Sequence, residues 1–237
     1  NTFYNLNNMV LSIAGNIDED EVLAICDKHL KKNENIELET AFEDEPDTVA
    51  NSIMVQKLEI AMPMFNIGFK AKPESSINAV KAEIETNFVL SLLSDDTSEF
   101  YKKLYDDGLI NSSFSSEVFW GDGYFASIFG GESRNPHLVL EKIKSEIERC
   151  KKDGFDKERF EIIKKSYYGS LIRDLNDAEA IATLMLSAGM ERLKAFDVIE
   201  TVAAITYEDV TARLNKQFNI DNCTISIIEP IKSEEDM

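Results

Sequence analysis

The stretch Met64-Phe65-Asn66-Ile67-Gly68-Phe69-Lys70-Ala71-Lys72 constrains the fold of this chain most. Phe65, Ile67, Phe69 and Ala71 alternate strictly with Asn66, Gly68 and Lys70. Apolar side chains therefore leave one side of a strand, and small or polar ones the other. Such a strand belongs to a sheet with one buried face. Candidates to cover that face lie on both sides in the sequence. "INAVKAEIETNFVLSLLS", residues 77–94, predicts a helix with a wide apolar face. Helical periodicity also fills 135–152, 156–174, 177–190, 195–204 and 207–217. Paired strands with runs of helices between them predict an α+β fold. The expected form is a two-layer sandwich, a mostly antiparallel β-sheet with helices packed on one face.

The remaining elements fit that frame. "SIMVQKLEI" predicts a strand over 53–60. "SFSSEVFW" and "YFASIFGG" predict a β-hairpin around Gly121-Asp122-Gly123. "TSEFYKKLYDDG" predicts a short helix capped by Thr97 and ended by Gly108. "NCTISIIEP" supplies a last strand, and "IKSEEDM" reads as a solvated tail. Nearer the start, an apolar run predicts a strand over 8–14. A helix follows it, with Asp18 as cap and Glu21 in the capping-box position. Val22, Leu23, Cys26 and Leu30 recur on that helix at helical spacing. Residues 33–51 are acidic and contain a proline, and read as a linker.

The two ends of the chain look alike. With Asn8 set against Asn222, Tyr4 meets Phe218, Leu11 meets Ile225, Ser12 meets Ser226 and Ile13 meets Ile227. Either the opening is the end of a unit like the one that follows, or both are ordinary buried strands after Asn turns.

Charge narrows the partners. The net charge is −19, which argues against nucleic acid, because phosphate binding needs clustered Lys and Arg. No apolar run approaches the ~18–20 residues that span a bilayer, so no membrane partner is expected. Cys26, Cys150 and Cys223 are odd in number and lack disulfide or zinc spacing, which points to a reducing compartment. Cys26 and His29 can share a helix face, but no second ligand pair accompanies them. His137 after Pro136 reads as a surface residue. Asp95-Asp96 and Asp106-Asp107 read as solvated helix ends.

Three segments carry a family resemblance. They are "FYNLNNMVLSIAGNIDEDEVLAICDKHL", "DDTSEFYKKLYDDGLINSSF" and "GFDKERFEIIKKSYYGSL". In that order they resemble the insulinase/pitrilysin-type zinc metallopeptidases, the inverzincins, including the mitochondrial-processing-peptidase-like bacterial members. The resemblance implies the LuxS/MPP-like metallohydrolase fold. It implies residues 1–32 as the last strand and helix of a preceding homologous domain, 33–51 as the linker, and 52–237 as an inactive C-terminal peptidase-like domain. In the family, zinc is held by a His-x-x-Glu-His helix, whose Glu acts as base on a metal-bound water. That motif belongs to the first domain, and this chain has only His29 and His137. No metal or cofactor is expected in the chain itself. Zinc is expected in the preceding N-terminal domain.

The family's second domain contributes an Arg and a Tyr seven residues later, which hold the substrate carbonyl and its oxyanion; losing one such donor can cost ~10²–10³ in rate. The matching stretch here is one residue shorter. Tyr105 stands at the Arg position and Asn111 at the Tyr position, and neither brings a positive charge. Tyr101, Phe114 and Trp120 are candidates to line a peptide chamber, although sheet-to-helix packing is the alternative. The edge of the 112–131 hairpin is a candidate for strand addition by a peptide. The implied function is a non-zinc domain that closes the chamber of a metallopeptidase. The alternative is a scaffold or peptide-binding subunit whose parent has lost peptidase activity. The partners implied by the resemblance are the N-terminal zinc domain, a peptide substrate and a second homologous subunit, in the cytoplasm.

Overall fold

A computed structural model describes residues 3–30, 45–75 and 77–231. Five strands form a mixed sheet: β1 (Ile53–Leu58), β2 (Met64–Ala71), β3 (Ser115–Gly121), β4 (Tyr124–Glu132) and β5 (Cys223–Pro230). Their spatial order is β1-β5-β2-β4-β3. β1 runs parallel to β5, and every other pair is antiparallel. The α+β two-layer expectation holds.

The alternation in β2 sets the layers. Ile67 pairs with Phe129 on one side and Ile225 on the other, and Phe69 with Ser127 and Cys223. All six are buried, and they form the helix-facing side of the sheet. Against them lie α2 (Ile77–Ser94), α4 (Pro136–Asp153) and α8 (Tyr207–Gln217). α2 is the central helix, burying Ile84, Phe88, Val89 and Leu93 in the common core. α5 (Lys157–Asp174) and α7 (Asp197–Ala204) pack on α2, while α6 (Ala178–Met190) buries only Ala188.

Several sequence expectations are corrected. Residues 8–14 form no strand: Asn8 ends a 3-10 turn, Leu6–Asn8, and 9–14 have no regular structure. A strand exists through hydrogen bonds to a neighbour, and among the described residues none lies beside this segment. Met9, Val10, Leu11 and Ile13 are exposed instead, with Val10 resting over Gly189 of α6. β1 and β2, consecutive in sequence, are not neighbours in the sheet, because β5 inserts between them. Residues 59–63 bridge that gap, which at ~4.8 Å per strand spacing is within reach of five residues. α3 (Glu99–Asp106) is capped by Ser98, not Thr97. Thr97 bonds Asp95 and Arg159 instead. Gly108 ends α3 as expected, at φ +67°. The start of the linker, 33–44, and the tail from 232 lie outside the described residues.

Helix caps explain most boundaries. Asp18 accepts from Glu21 N at the start of α1 (Glu19–His29), and Asp156 caps α5 through Glu158 N and Arg159 N. The turn from α4 into α5 is locked from a distance. Gly154 has φ +79°, and a Cβ there would come within 2.8 Å of Tyr207 Oη. That hydroxyl accepts from Phe155 N at 3.0 Å and donates to Phe155 O at 2.9 Å. Tyr207→Phe leaves both backbone groups unpaired. The expected loss is about 1–3 kcal/mol in urea unfolding, and a loss within experimental error would show that the lock is dispensable.

Candidate functional site

The helices cover one face of the sheet and leave the other open. On that open face, Gly68 and Lys70 of β2 lie beside Ala126 and Ile128 of β4 and Thr224 of β5. The small side chains make a floor. Phe119 and Tyr124, ring centroids 5.0 Å apart, form one wall, and Met54 with residues 49–51 forms the other. The resulting groove has a volume of about 640 Å³ and is lined mainly by carbon. Its main cation, Lys70, is neutralised by Glu45 at 2.6 Å. β3 bounds the groove and is an edge strand, hydrogen-bonded to β4 alone. It is seven residues long and carries neither Pro nor Lys. Those are two of the usual devices that keep an edge from pairing with another chain.

The sequence candidates fall in two places. Tyr105 is half exposed at the end of α3 and stacks on Tyr101, with centroids 6.0 Å apart and planes 14° apart. Tyr101 packs on Phe114, also at 6.0 Å, and Phe114 stacks on Phe129 inside the core. These four rings form one line from surface to interior. Asn111 follows α3 in the turn before β3. Its Nδ2 donates to Glu132 Oε2 at 2.8 Å, and its Oδ1 accepts from Ser113 N at 2.8 Å. Both ends of the amide are therefore committed to holding the turn. Trp120 lies at the far end of β3 and packs against the core on the helix side, near the Glu83 carboxylate. Burial pushes Glu83 up, Trp120 opposes that, and Glu191 adds to it.

The groove itself was not singled out by sequence reasoning. Its signal was present: the small or polar positions Gly68, Ala126 and Thr224 are the other half of the alternation that marks the core. What was hidden is the register that aligns them across three strands.

Among the described residues, no group of three or more His, Cys, Asp or Glu could hold a metal ion. His29 is exposed at the end of α1, and His137 is exposed in the first turn of α4. Zinc does not fit these residues. Among the described residues, no helix is long and apolar enough to cross a membrane. Cys150 and Cys223 are buried free thiols, and Cys26 is partly exposed. Burial pushes Cys150 up to about 12, and Glu146 beside it adds to the rise. At about pH 8 Cys26 is expected to react with a neutral thiol reagent while Cys150 stays unmodified, as peptide mass mapping would show.

Residues 1–167 match the family profile described as the peptidase M16 inactive domain. This chain belongs to the peptidase M16 family, as its inactive domain. A curated relative, the uncharacterized zinc protease YmfH of Bacillus subtilis (strain 168), is 25% identical over 241 residues, covering 97% of this chain and 54% of the relative. The M16 inactive domain thus spans about half the length of that relative. The fold recurs in an M16-like peptidase structure from Alicyclobacillus acidocaldarius, with TM-score 0.83, 24% identity, and 92% of this chain and 53% of that one covered. It recurs too in a protease from Helicobacter pylori, with TM-score 0.78, 17% identity and coverage of 92% and 54%.

Proposed function

We propose that this M16 inactive domain is the C-terminal, non-zinc wall of a zinc metallopeptidase, and that its open sheet face and β3 edge contact the peptide. The observation that carries the reading is the apolar groove on the helix-free face beside β3, an edge strand with one side left unpaired in the sheet. An extended peptide paired to β3 would gain main-chain hydrogen bonds, and the groove beside Phe119 would accept its apolar side chains. The surrounding −19 charge favours a basic peptide.

The preceding zinc domain is the first partner in this reading. Supporting it are apolar side chains of residues 3–30 that nothing in the described residues covers, among them Leu11, Leu23 and Ile25. Zinc and the hydrolytic step belong to that domain, and a second homologous subunit is a further partner. Three unpaired thiols support a cytoplasmic setting. A second reading, a scaffold in a protein without peptidase activity, is favoured by one observation. The Arg and Tyr expected for oxyanion binding are replaced by Tyr105 and Asn111, and Asn111 is already engaged by Glu132 and Ser113.

The test is Phe119→Asp in the longer protein, with a fluorogenic basic peptide as substrate. The reading predicts a KM raised about tenfold or more with zinc content unchanged. An unchanged KM would remove this face from peptide binding.

A further inference from the structure

Residues 45–51 lead into β1 without helix or strand, and Glu45, Val49, Ala50 and Asn51 border the open-face groove. Two kinds of contact hold this stretch. At its leading end Lys70 Nζ pairs with Glu45 Oε2 at 2.6 Å, and Lys72 Nζ with Asp47 Oδ2 at 2.8 Å. Both carboxylates are more than half exposed, so water and dissolved ions compete for them. Further along, a single side chain makes three hydrogen bonds. Asn222 Oδ1 accepts from Val49 N at 2.9 Å, while Nδ2 donates to Asp47 O at 2.7 Å and to Lys70 O at 3.2 Å. Asn222 thereby ties the stretch to the end of β2 and the start of β5. These bonds are neutral, and screening leaves them in place.

The geometry points to residues 45–51 as a strap that walls one side of the open-face groove, pinned at Asn222 and held against Lys70 at its leading end by two ion pairs that salt loosens. The groove then has two states, set by one wall. With the ion pairs made, Glu45 sits against Lys70 at the groove's end. With them screened, the leading end of the strap moves off Lys70 on its Asn222 pin, and the floor beside Lys70, at Ala126, opens further to solvent. An anionic group that competes for Lys70 acts in the same direction as salt. The inference concerns the groove's wall, and stands whether or not the groove takes a peptide.

The test places a reporter on the floor. In a Cys26→Ser background, Ala126→Cys is labelled with an uncharged maleimide, and rates are referred to a short cysteine peptide at the same salt. Cys150 and Cys223 are buried. Between about 0.01 M and about 1 M NaCl the screening length falls from roughly 30 Å to 3 Å. The rate is expected to rise about fivefold across that range, the effect of losing two exposed pairs. Lys70→Met with Lys72→Met should label at the fast rate already at low salt, with no further salt dependence. Asn222→Ala should exceed both, and Asn222→Asp, which keeps the acceptor for Val49 and loses both donors, should fall between. Circular dichroism confirms the fold of each variant. A rate that is flat with salt, or unmoved by the double lysine change, overturns the strap. A labelling rate in Asn222→Ala no higher than that of the unchanged chain at the same salt overturns the pin.

Discussion

Arg213→Ala is expected to lower stability by about 3–5 kcal/mol, the cost of leaving a buried charge without its partner. Arg213 on α8 and Glu85 on α2 are each 7% exposed, with Nε donating to Glu85 Oε2 at 2.9 Å. The same guanidinium reaches Glu74 at 3.1 Å, and Lys216 reaches Glu74 at 2.6 Å. Lys81 adds contacts to Glu85 and Asp209, and Asp209 closes the capping box with Thr206. The network therefore joins α8, α2 and the segment after β2. In a chain of this size the loss corresponds to about 10 °C in the melting temperature. Arg213→Met combined with Glu85→Leu removes both charges and should recover most of that. A double variant as unstable as Arg213→Ala would mean that shape, not charge, holds the site.

The same network gives a pH direction. The Thr206 hydroxyl and backbone, with Lys81, hold Asp209 below its ordinary 3.8. Burial pushes Glu74 up, but Lys216 and Arg213 outweigh it and hold the carboxyl below its ordinary 4.5. Groups lowered in the folded state stabilise it above their unfolded values. That stability is lost as pH falls through the folded ones. Unfolding free energy should therefore drop below about pH 4.5, less steeply once Arg213 is replaced.

Phe218→Ala is the second large expected effect, about 3–5 kcal/mol from lost burial and the cavity left behind. Phe218 caps α8, is fully buried, and packs against Phe69 at 5.4 Å and Phe129 at 6.2 Å. Those rings belong to β2 and β4, so the side chain joins the helix layer to the sheet. Phe218→Leu keeps most of the volume and should cost about 1 kcal/mol. A useful contrast is Leu23→Ala on α1, where no residue is buried. In this chain it should change stability by no more than about 0.5 kcal/mol. In the proposed longer protein it should weaken the contact with the zinc domain that the wall reading calls for.

The sequence was most informative where one local rule governed. Period two in β2 named Phe65, Ile67 and Phe69 as core, and turn chemistry at Asp122-Gly123 gave the β3–β4 hairpin. Helix boundaries came out within about two residues, because caps such as Asp18 and Asp156 are local. Non-local pairing was not legible. Nothing in "NCTISIIEP" says that it inserts between β1 and β2, since strand order depends on contacts across most of the chain. Residues 8–14 read as a strand from their apolar run alone, but a strand needs a neighbour. The sequence alone leaves Phe114 and Trp120 open between lining and packing, because aromatic content does not reveal direction. Phe114 lies in the core and Trp120 faces α2.

The central claim is that this M16 inactive domain acts as a wall for zinc chemistry supplied elsewhere. The most direct test is zinc content and peptide cleavage of this chain beside the longer protein that contains it. The account predicts zinc and cleavage in the longer protein and neither in this chain. Stoichiometric zinc with cleavage by this chain alone would contradict it.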